Sequence, residues 1–76
     1  MKFEDCVIGL EIIDLETNCH GTIINIDINR LGNNTIQIDS EENSQRRNEY
    51  GELCPRTYWC RHNEVEPLKN NNKWNN

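Results

Sequence analysis

The chain has 76 residues, a formal net charge of -5, a sequence pI of about 4.9 and 34% hydrophobic residues. This length predicts one small domain, residues 1–68, with a single modest core, and no run of residues approaches the roughly 18–20 apolar residues of a membrane span. The acidic balance opposes general binding to phosphate backbones and favours either a basic protein partner or solubility alone.

The first predicted strand covers residues 7–13, which are dense in β-branched side chains. Period-two alternation would place three apolar side chains on one face of it: Ile8, Leu10 and Ile12. The polar residues 14–18 predict a loop. His20 and Gly21 then predict a turn, since glycine adopts positive φ without steric cost.

The clearest predicted strand covers residues 22–28. Three isoleucines are expected to point inward from it: Ile24, Ile26 and Ile28. A turn at Gly32, Asn33 and Asn34 would lead into a third strand at residues 35–39, which is expected to direct Ile36 and Ile38 inward. The two runs together predict a β-hairpin.

Residues 40–56 form a long charged segment that is nearly free of aliphatic side chains. A loop of this length in a small domain is commonly functional or disordered. We expect Tyr50 and Leu53 to pin it to the rest of the domain.

The fourth predicted strand covers residues 57–62. One of its faces would carry Tyr58, Cys60 and His62, and the other Thr57, Trp59 and Arg61. Only one of the two aromatic side chains can therefore belong to the core. Residues 63–64 predict a turn of 3₁₀ type, and residues 65–68 predict a last short edge strand, which suits Pro67 because proline donates no ladder hydrogen bond. The polar residues 69–76 predict a disordered tail.

This order of elements resembles the SH3-like small barrels of the Tudor and KOW type, including small phage-encoded domains. The resemblance lies in the run from strand to acidic loop, His20-Gly21, an Ile-rich strand, a Gly-Asn turn, a polar loop, a Tyr-Trp strand and the terminal Glu-Val-Glu-Pro-Leu, and it covers residues 5–68. It implies an all-β, five-stranded, strongly bent barrel that binds ligands through loops and an aromatic patch, without enzymatic activity. The long loop and the acidity depart from the family's usual nucleic-acid or methyl-mark binders.

Four cysteines and two histidines raise the question of a zinc site. No Cys-x-x-Cys pair is present, and the weak candidates are Cys54, Cys60 and His62. We therefore expect no metal and no cofactor. Cys6, Cys19 and Cys60 are expected to act as small hydrophobic residues in a reduced cytosol, and disulfides are not expected.

Catalysis has little support in the sequence. Cys19 and His20 are adjacent, which in a strand would separate their side chains, and Cys60 with His62 lacks an orienting third group. There is no phosphate-cradling Gly-rich loop. We expect the protein not to be an enzyme.

The favoured interpretation is a protein-interaction module that docks on a larger basic or nucleic-acid-binding protein. Exposed aromatic side chains anchor such interfaces. The candidate contact residues are Tyr50, Tyr58, Trp59, Arg61, Glu41 and Glu42. Tyr50 and Trp59 could instead begin a methyl-lysine cage, which needs two to four converging aromatic rings.

The composition adds a hypothesis about origin. The chain has 13 asparagines, nine isoleucines and no alanine, as AT-rich coding sequences produce. We therefore expect a phage or mobile-element protein that modulates or inhibits a host protein by occluding its surface. The acidic start at residues 1–5 predicts no signal peptide, so the expected location is the cytoplasm, that of the host cell if the protein is phage-encoded.

Three alternatives remain open. RNA or single-stranded DNA could bind an arginine and aromatic face, through Arg46, Arg47, Arg56 and Arg61 beside Tyr58 and Trp59. The same arginines could merely balance the nearby glutamates Glu41, Glu42, Glu49 and Glu52. A homo-oligomer could also form through the edge at residues 65–68.

Overall fold

The structure is a computed structural model that describes residues 1–30 and 33–68, with the backbone alone at positions 29, 30 and 33. Its strands and helix are β1 (Glu11–Asp14), β2 (His20–Arg30), β3 (Asn33–Asp39), α1 (Glu41–Ser44), β4 (Thr57–Arg61) and β5 (Val65–Pro67). Single 3₁₀ turns cover Phe3–Asp5 and His62–Glu64. Of the predicted turn, Gly32 lies outside the described residues, whereas Asn33 and Asn34 belong to β3 and not to a turn. The predicted disordered tail at residues 69–76 also lies outside the described residues.

The five strands form one antiparallel sheet in the order β4-β3-β2-β1-β5. The mostly β class and the predicted β2–β3 hairpin are confirmed, with Ile23 opposite Ile38 and Ile26 opposite Ile36. The outer strands β4 and β5 do not pair with each other, so the sheet is open and a closed barrel is not established. The 3₁₀ turn joins these strands directly, which limits the separation of their adjoining ends to about 14 Å.

The core lies on the inner face of the sheet. Its fully buried side chains are Ile12, Ile23, Ile36, Ile38 and Val65, with Cys6 beside them. Partly buried residues pack against this cluster, namely Met1, Phe3, Leu10, Ile26, Tyr58 and Cys60. Isoleucine suits these positions because its branched side chain packs well on a pleated surface.

The predicted first strand begins too early. Val7 and Ile8 are exposed in a turn closed by the hydrogen bond from the Leu10 N–H to the Val7 carbonyl, and Gly9 has a φ of 95°. A residue at such a φ interrupts a regular strand. Ile12 is inward as predicted, whereas the prediction for Ile8 is wrong.

A β-bulge corrects the predicted face of the second strand. The register shifts between Ile23 and Asn25, so Ile23 is buried while Ile24 is exposed. An extra residue in one strand reverses the alternation that follows it. Ile26 still packs against the core, but Ile28 lies beyond it and is 66% exposed.

Gly21 lies within β2, opposite Ile12, and the predicted turn there is wrong. A Cβ atom at this position would lie 2.6 Å from the Ile38 Cγ2 atom and 3.1 Å from the Asp39 carbonyl oxygen. Glycine is therefore required by the close approach of β3 rather than by positive φ. The chain reverses earlier, in the predicted polar loop, where Asn18 has a φ of 61°.

The segment at residues 40–56 is more ordered than predicted, and different residues secure it. Tyr50 is 80% exposed and Leu53 is also exposed, so the prediction that they pin the loop is wrong. The buried Ser40 caps α1 by accepting the Asn43 N–H at 3.1 Å. The Asn43 side chain donates to the Pro55 carbonyl at 2.7 Å, which ties the two ends of the segment together.

The last elements agree well with the predictions. Tyr58 and Cys60 face the core from β4, and the 3₁₀ turn and the edge strand β5 are present. His62 lies in that turn instead of in β4, where its ring packs edge-on against Phe3. On β5, the Val65 carbonyl accepts a hydrogen bond from the Met1 ammonium nitrogen at 3.2 Å, and Pro67 has no N–H to donate. Both features disfavour homo-oligomer formation by strand pairing through β5. No helix in the described part of the chain is long and apolar enough to cross a membrane.

Candidate functional site

The side of the sheet opposite the core carries aligned polar rows around one large aromatic side chain. Because alternate residues of a strand point to opposite faces, the cross-strand pairing fixes which outward residues are neighbours. We call this surface the outer face; its rows are Thr57–Asp39–Thr22–Glu11, Trp59–Gln37–Asn25 and Arg61–Thr35–Asp27.

Trp59 lies in the middle row of the outer face, on the edge strand β4. Its side chain is 40% exposed, opposite Gln37. The structure thus decides between the two aromatic residues of β4: Trp59 faces outward and Tyr58 inward. A large, rigid aromatic side chain set among polar neighbours is typical of an interface anchor.

A cleft of about 320 Å³ opens at one end of the outer face. Its lining includes three carboxylate residues, one arginine, one histidine and a leucine: Glu11, Asp39, Glu41, Arg56, His20 and Leu68. Three carboxylates against one guanidinium make the cleft acidic at neutral pH. It therefore favours a cationic group over an anionic one.

Arg56 and Asp39 form an ion pair inside this cleft. The Arg56 Nε atom lies 2.7 Å from Asp39 Oδ1, with 59% and 33% of the two side chains exposed. The hydrogen bond to Asp39, strengthened by the carboxylate charge, raises the pKa of the Arg56 guanidinium. Such exposed pairs add little to folding stability, so this contact can be broken without unfolding the domain.

The neighbouring wall of the cleft is fixed by contacts between β2 and α1. Glu42 accepts the His20 backbone N–H at 2.7 Å, and the Ser40 hydroxyl donates to the His20 carbonyl at 2.7 Å. These bonds hold α1 against the start of β2. Glu42 is thereby engaged in positioning the helix, whereas Glu41 lines the cleft.

Tyr58 packs against the core and does not lie on the outer face with Trp59. Its hydroxyl donates to Asp14 Oδ2 at 2.7 Å, and the other Asp14 oxygen accepts the Glu16 N–H at 2.9 Å. Burial and the Asp14 carboxylate hold the pKa of Tyr58 well above its ordinary value. Burial likewise raises the pKa of the Cys60 thiol to about 12.

We expect the free energy of unfolding to fall with alkaline pH. Both groups bind their proton more tightly in the folded state, so their contributions are complete below their ordinary pKa values of 9.0 for Cys60 and 10.0 for Tyr58. They are lost as the pH rises toward the folded pKa values. Urea unfolding between pH 7 and pH 11 measures the decline.

The Tyr58→Phe variant isolates the phenol's share of this decline. It should unfold more easily at pH 7, by about 1–3 kcal/mol, because the buried Asp14 loses a donor. It should also lose less stability than the wild type above pH 10. Tyr50→Phe, at an 80% exposed side chain, is the matched control and should leave the profile unchanged. A Tyr58→Phe profile parallel to the wild type would contradict the assignment.

Two of the four candidate arginines lie on the loop, and the other two lie at the outer face. Arg46 donates to Asn43 Oδ1 at 3.2 Å and Arg47 to the Gly51 carbonyl at 2.7 Å, so both support the loop. Arg61 and Arg56 lie on or beside the outer face. The expected ion pairing of the arginines with the loop glutamates is not what Arg56 shows, since Arg56 pairs with Asp39 of β3.

The remaining candidate positions are dispersed. Tyr50 lies on the exposed loop, and Cys54 lies near Arg46, with an Nη1–Sγ distance of 3.9 Å. Cys60 packs against the core, and His62 Nδ1 lies 2.7 Å from the Met1 carbonyl oxygen. Within residues 1–30 and 33–68, no three His, Cys, Asp or Glu side chains are grouped so as to hold a metal ion.

The sequence interpretation missed several residues of the site. His20 and Gly21 were treated as a turn, while Glu11 and Asp39 were placed in predicted strands without a functional role. Their outward direction follows from period-two alternation, but their neighbours follow only from the strand order. That order places Glu11 and Asp39 on either side of Thr22.

Comparison with known proteins identified no similar protein. No protein-family model matches the chain, and neither the curated proteins nor the solved structures contain a significant match.

Proposed function

We propose that this chain is a non-enzymatic protein-interaction module whose outer face docks on a basic surface of a larger protein. The observation that supports it most is the exposed Trp59 on the same face of the sheet as an acidic cleft. An aromatic anchor supplies apolar contact area, and the carboxylates around it steer and orient a basic partner.

The size of the domain is compatible with this role. The solvent-accessible surface is 5086 Å². A standard interface buries about 800 Å² per partner, which is roughly a sixth of that surface. One face of the sheet can therefore supply the contact.

We also propose that the chain has an SH3-like barrel fold. In support, its outer strands are β4 and β5, joined by a 3₁₀ turn, and β5 pairs with β1. Such barrels bind ligands on their surface. Binding of a partner on the outer face agrees with this mode of ligand binding.

The specific version of the proposal is a phage or mobile-element protein that inhibits a host protein in the host cytoplasm. The AT-rich type of composition and the net charge of -5 support it. An acidic domain competes for a surface that normally binds nucleic acid, since both present negative charge. Inhibition would then follow from occlusion.

Capture from a nuclease-treated lysate tests the proposed function. The wild-type chain should retain a basic protein at low salt, and Trp59→Ala should lose at least about 90% of it, as truncation of an interface anchor predicts. Tyr50→Ala is the matched control, because that aromatic side chain is 80% exposed but lies on the loop at residues 40–56. Equal capture by Trp59→Ala and the wild type would contradict the proposal.

Nucleic-acid binding is the second candidate, because Arg56 and Arg61 lie on the same side of the sheet as Trp59. A single strand would stack on the indole ring and meet the guanidinium groups, with affinity falling steeply as salt increases. A nuclease-sensitive capture would favour this candidate. Unchanged single-strand binding by a Trp59→Ala, Arg61→Ala variant would exclude this surface.

A further inference from the structure

The cleft beside the outer face already contains one guanidinium group of the protein itself. Arg56 is the last residue of the loop at residues 40–56, and its backbone carbonyl accepts the Ser40 N–H at 2.8 Å, which holds the backbone from which its side chain extends. From there the side chain reaches Asp39, with Nε and Oδ1 2.7 Å apart. Its charge is thus placed where a basic partner's charge is expected.

The surroundings of this pair offer more negative charge than Arg56 neutralises. Glu11 and Glu41 line the same cleft as Asp39. The cleft volume of about 320 Å³ lies at the lower end of the range for small-molecule sites, about 300–1,000 Å³. It is therefore large enough to accept a single long side chain.

The Arg56–Asp39 contact is also easy to exchange. Both side chains are accessible to solvent, and exposed pairs of this kind contribute little. A planar guanidinium matches a carboxylate better than an ammonium does. An arginine from another molecule can thus make the same contact and gain the neighbouring carboxylates as well.

We propose that Arg56 is an intramolecular placeholder in the cleft, and that an arginine side chain of the basic partner displaces it from Asp39. This inference rests on the proposed function, since it names the residue that the partner inserts. Arg56 lowers the affinity for weakly basic surfaces, so only a partner with a well-placed arginine binds.

The test uses the intact chain and a fluorescein-labelled (Arg-Gly)₄ peptide, with (Lys-Gly)₄ for comparison. Fluorescence anisotropy should show about two- to fivefold tighter binding of the arginine peptide by Arg56→Gln than by the wild type, the range expected for loss of a competing exposed pair. Asp39→Asn should weaken binding. The lysine peptide should bind less tightly than the arginine peptide to every variant.

A charge-matched control separates displacement from a simple change in net charge. Lys2→Gln removes the same charge from an exposed residue outside the cleft. It should change the affinity by less than about 1.5-fold at 150 mM salt, because distant exposed charges are screened. Equal tightening by Lys2→Gln and Arg56→Gln would overturn the placeholder role.

A direct readout distinguishes the two proposals. In the wild type, the Arg56 Nε–H resonance should shift as the peptide is added, which reports loss of its bond to Asp39. If the peptide binds but this resonance and the Arg56→Gln affinity stay unchanged, the placeholder is refuted and the docking surface is retained. If no variant binds either peptide, both the placeholder and a basic ligand at the cleft are refuted.

Discussion

Ile36→Ala should destabilise the domain by about 2–5 kcal/mol, because truncating a buried isoleucine loses apolar burial and leaves a cavity. Ile36 has 0% of its surface exposed and lies on β3, which β2 and β4 flank. A loss of this size approaches the whole stability of a small domain. Urea unfolding at pH 7 measures it, and Ile36→Val, expected to cost about 0.5–1.5 kcal/mol, gives a milder variant if alanine prevents folding.

Ile28→Ala is the matched control for this prediction. Simple alternation placed Ile28 inward, whereas in the structure it lies beyond the core and is 66% exposed. Its truncation should change stability by no more than about 0.5 kcal/mol. Similar losses for Ile28→Ala and Ile36→Ala would contradict the position of Ile28 beyond the core.

Gly21→Ala should destabilise the domain by about 1–3 kcal/mol, through overpacking and not through backbone conformation. The added Cβ would lie 2.6 Å from the Ile38 Cγ2 atom and 3.1 Å from the Asp39 carbonyl oxygen. Either β3 must move away from β2 or the Ile38 side chain must change rotamer. Thermal unfolding monitored by circular dichroism measures the cost.

A second substitution identifies the cause. Leucine at position 38 lacks the branch at Cβ that carries Cγ2, so Ile38→Leu should recover part of the stability of Gly21→Ala in the double variant. Gly51→Ala provides the contrasting case of backbone strain without a steric clash. Its Cβ atom would meet nothing within 4 Å, but Gly51 has a φ of 80°. A double variant with the sum of the two single losses would contradict the steric explanation.

Alternation along the sequence was sufficient to predict which side chains share a face in the regular strands. The strands β3 and β4 alternate without interruption, so the sequence predicted that Ile36 and Ile38 share the inner face. It also predicted that Tyr58 and Trp59 lie on opposite faces, but not which of them faces the core. The Tyr58–Asp14 hydrogen bond settles that choice. It joins residues 44 positions apart, which no local pattern detects.

Tertiary context decided the remaining elements. The bulge after Ile23 depends on how β2 pairs with β3, and alternation in a single strand cannot reveal it. Gly21 has the sequence appearance of a turn residue, yet its small size serves the approach of Ile38. The candidate site was hidden for the same reason, since Glu11, Asp39 and Arg56 meet only after the sheet forms.

The central claim is that the outer face is the docking surface, and an NMR titration tests it most directly. The ¹⁵N-labelled chain would be titrated with the (Arg-Gly)₄ peptide. We predict shifts at Thr22, Gln37, Asp39 and the Trp59 indole N–H, with residues 45–53 of the loop unchanged. Shifts confined to that loop, or their absence from Trp59 and Asp39 at saturating peptide, would contradict the account.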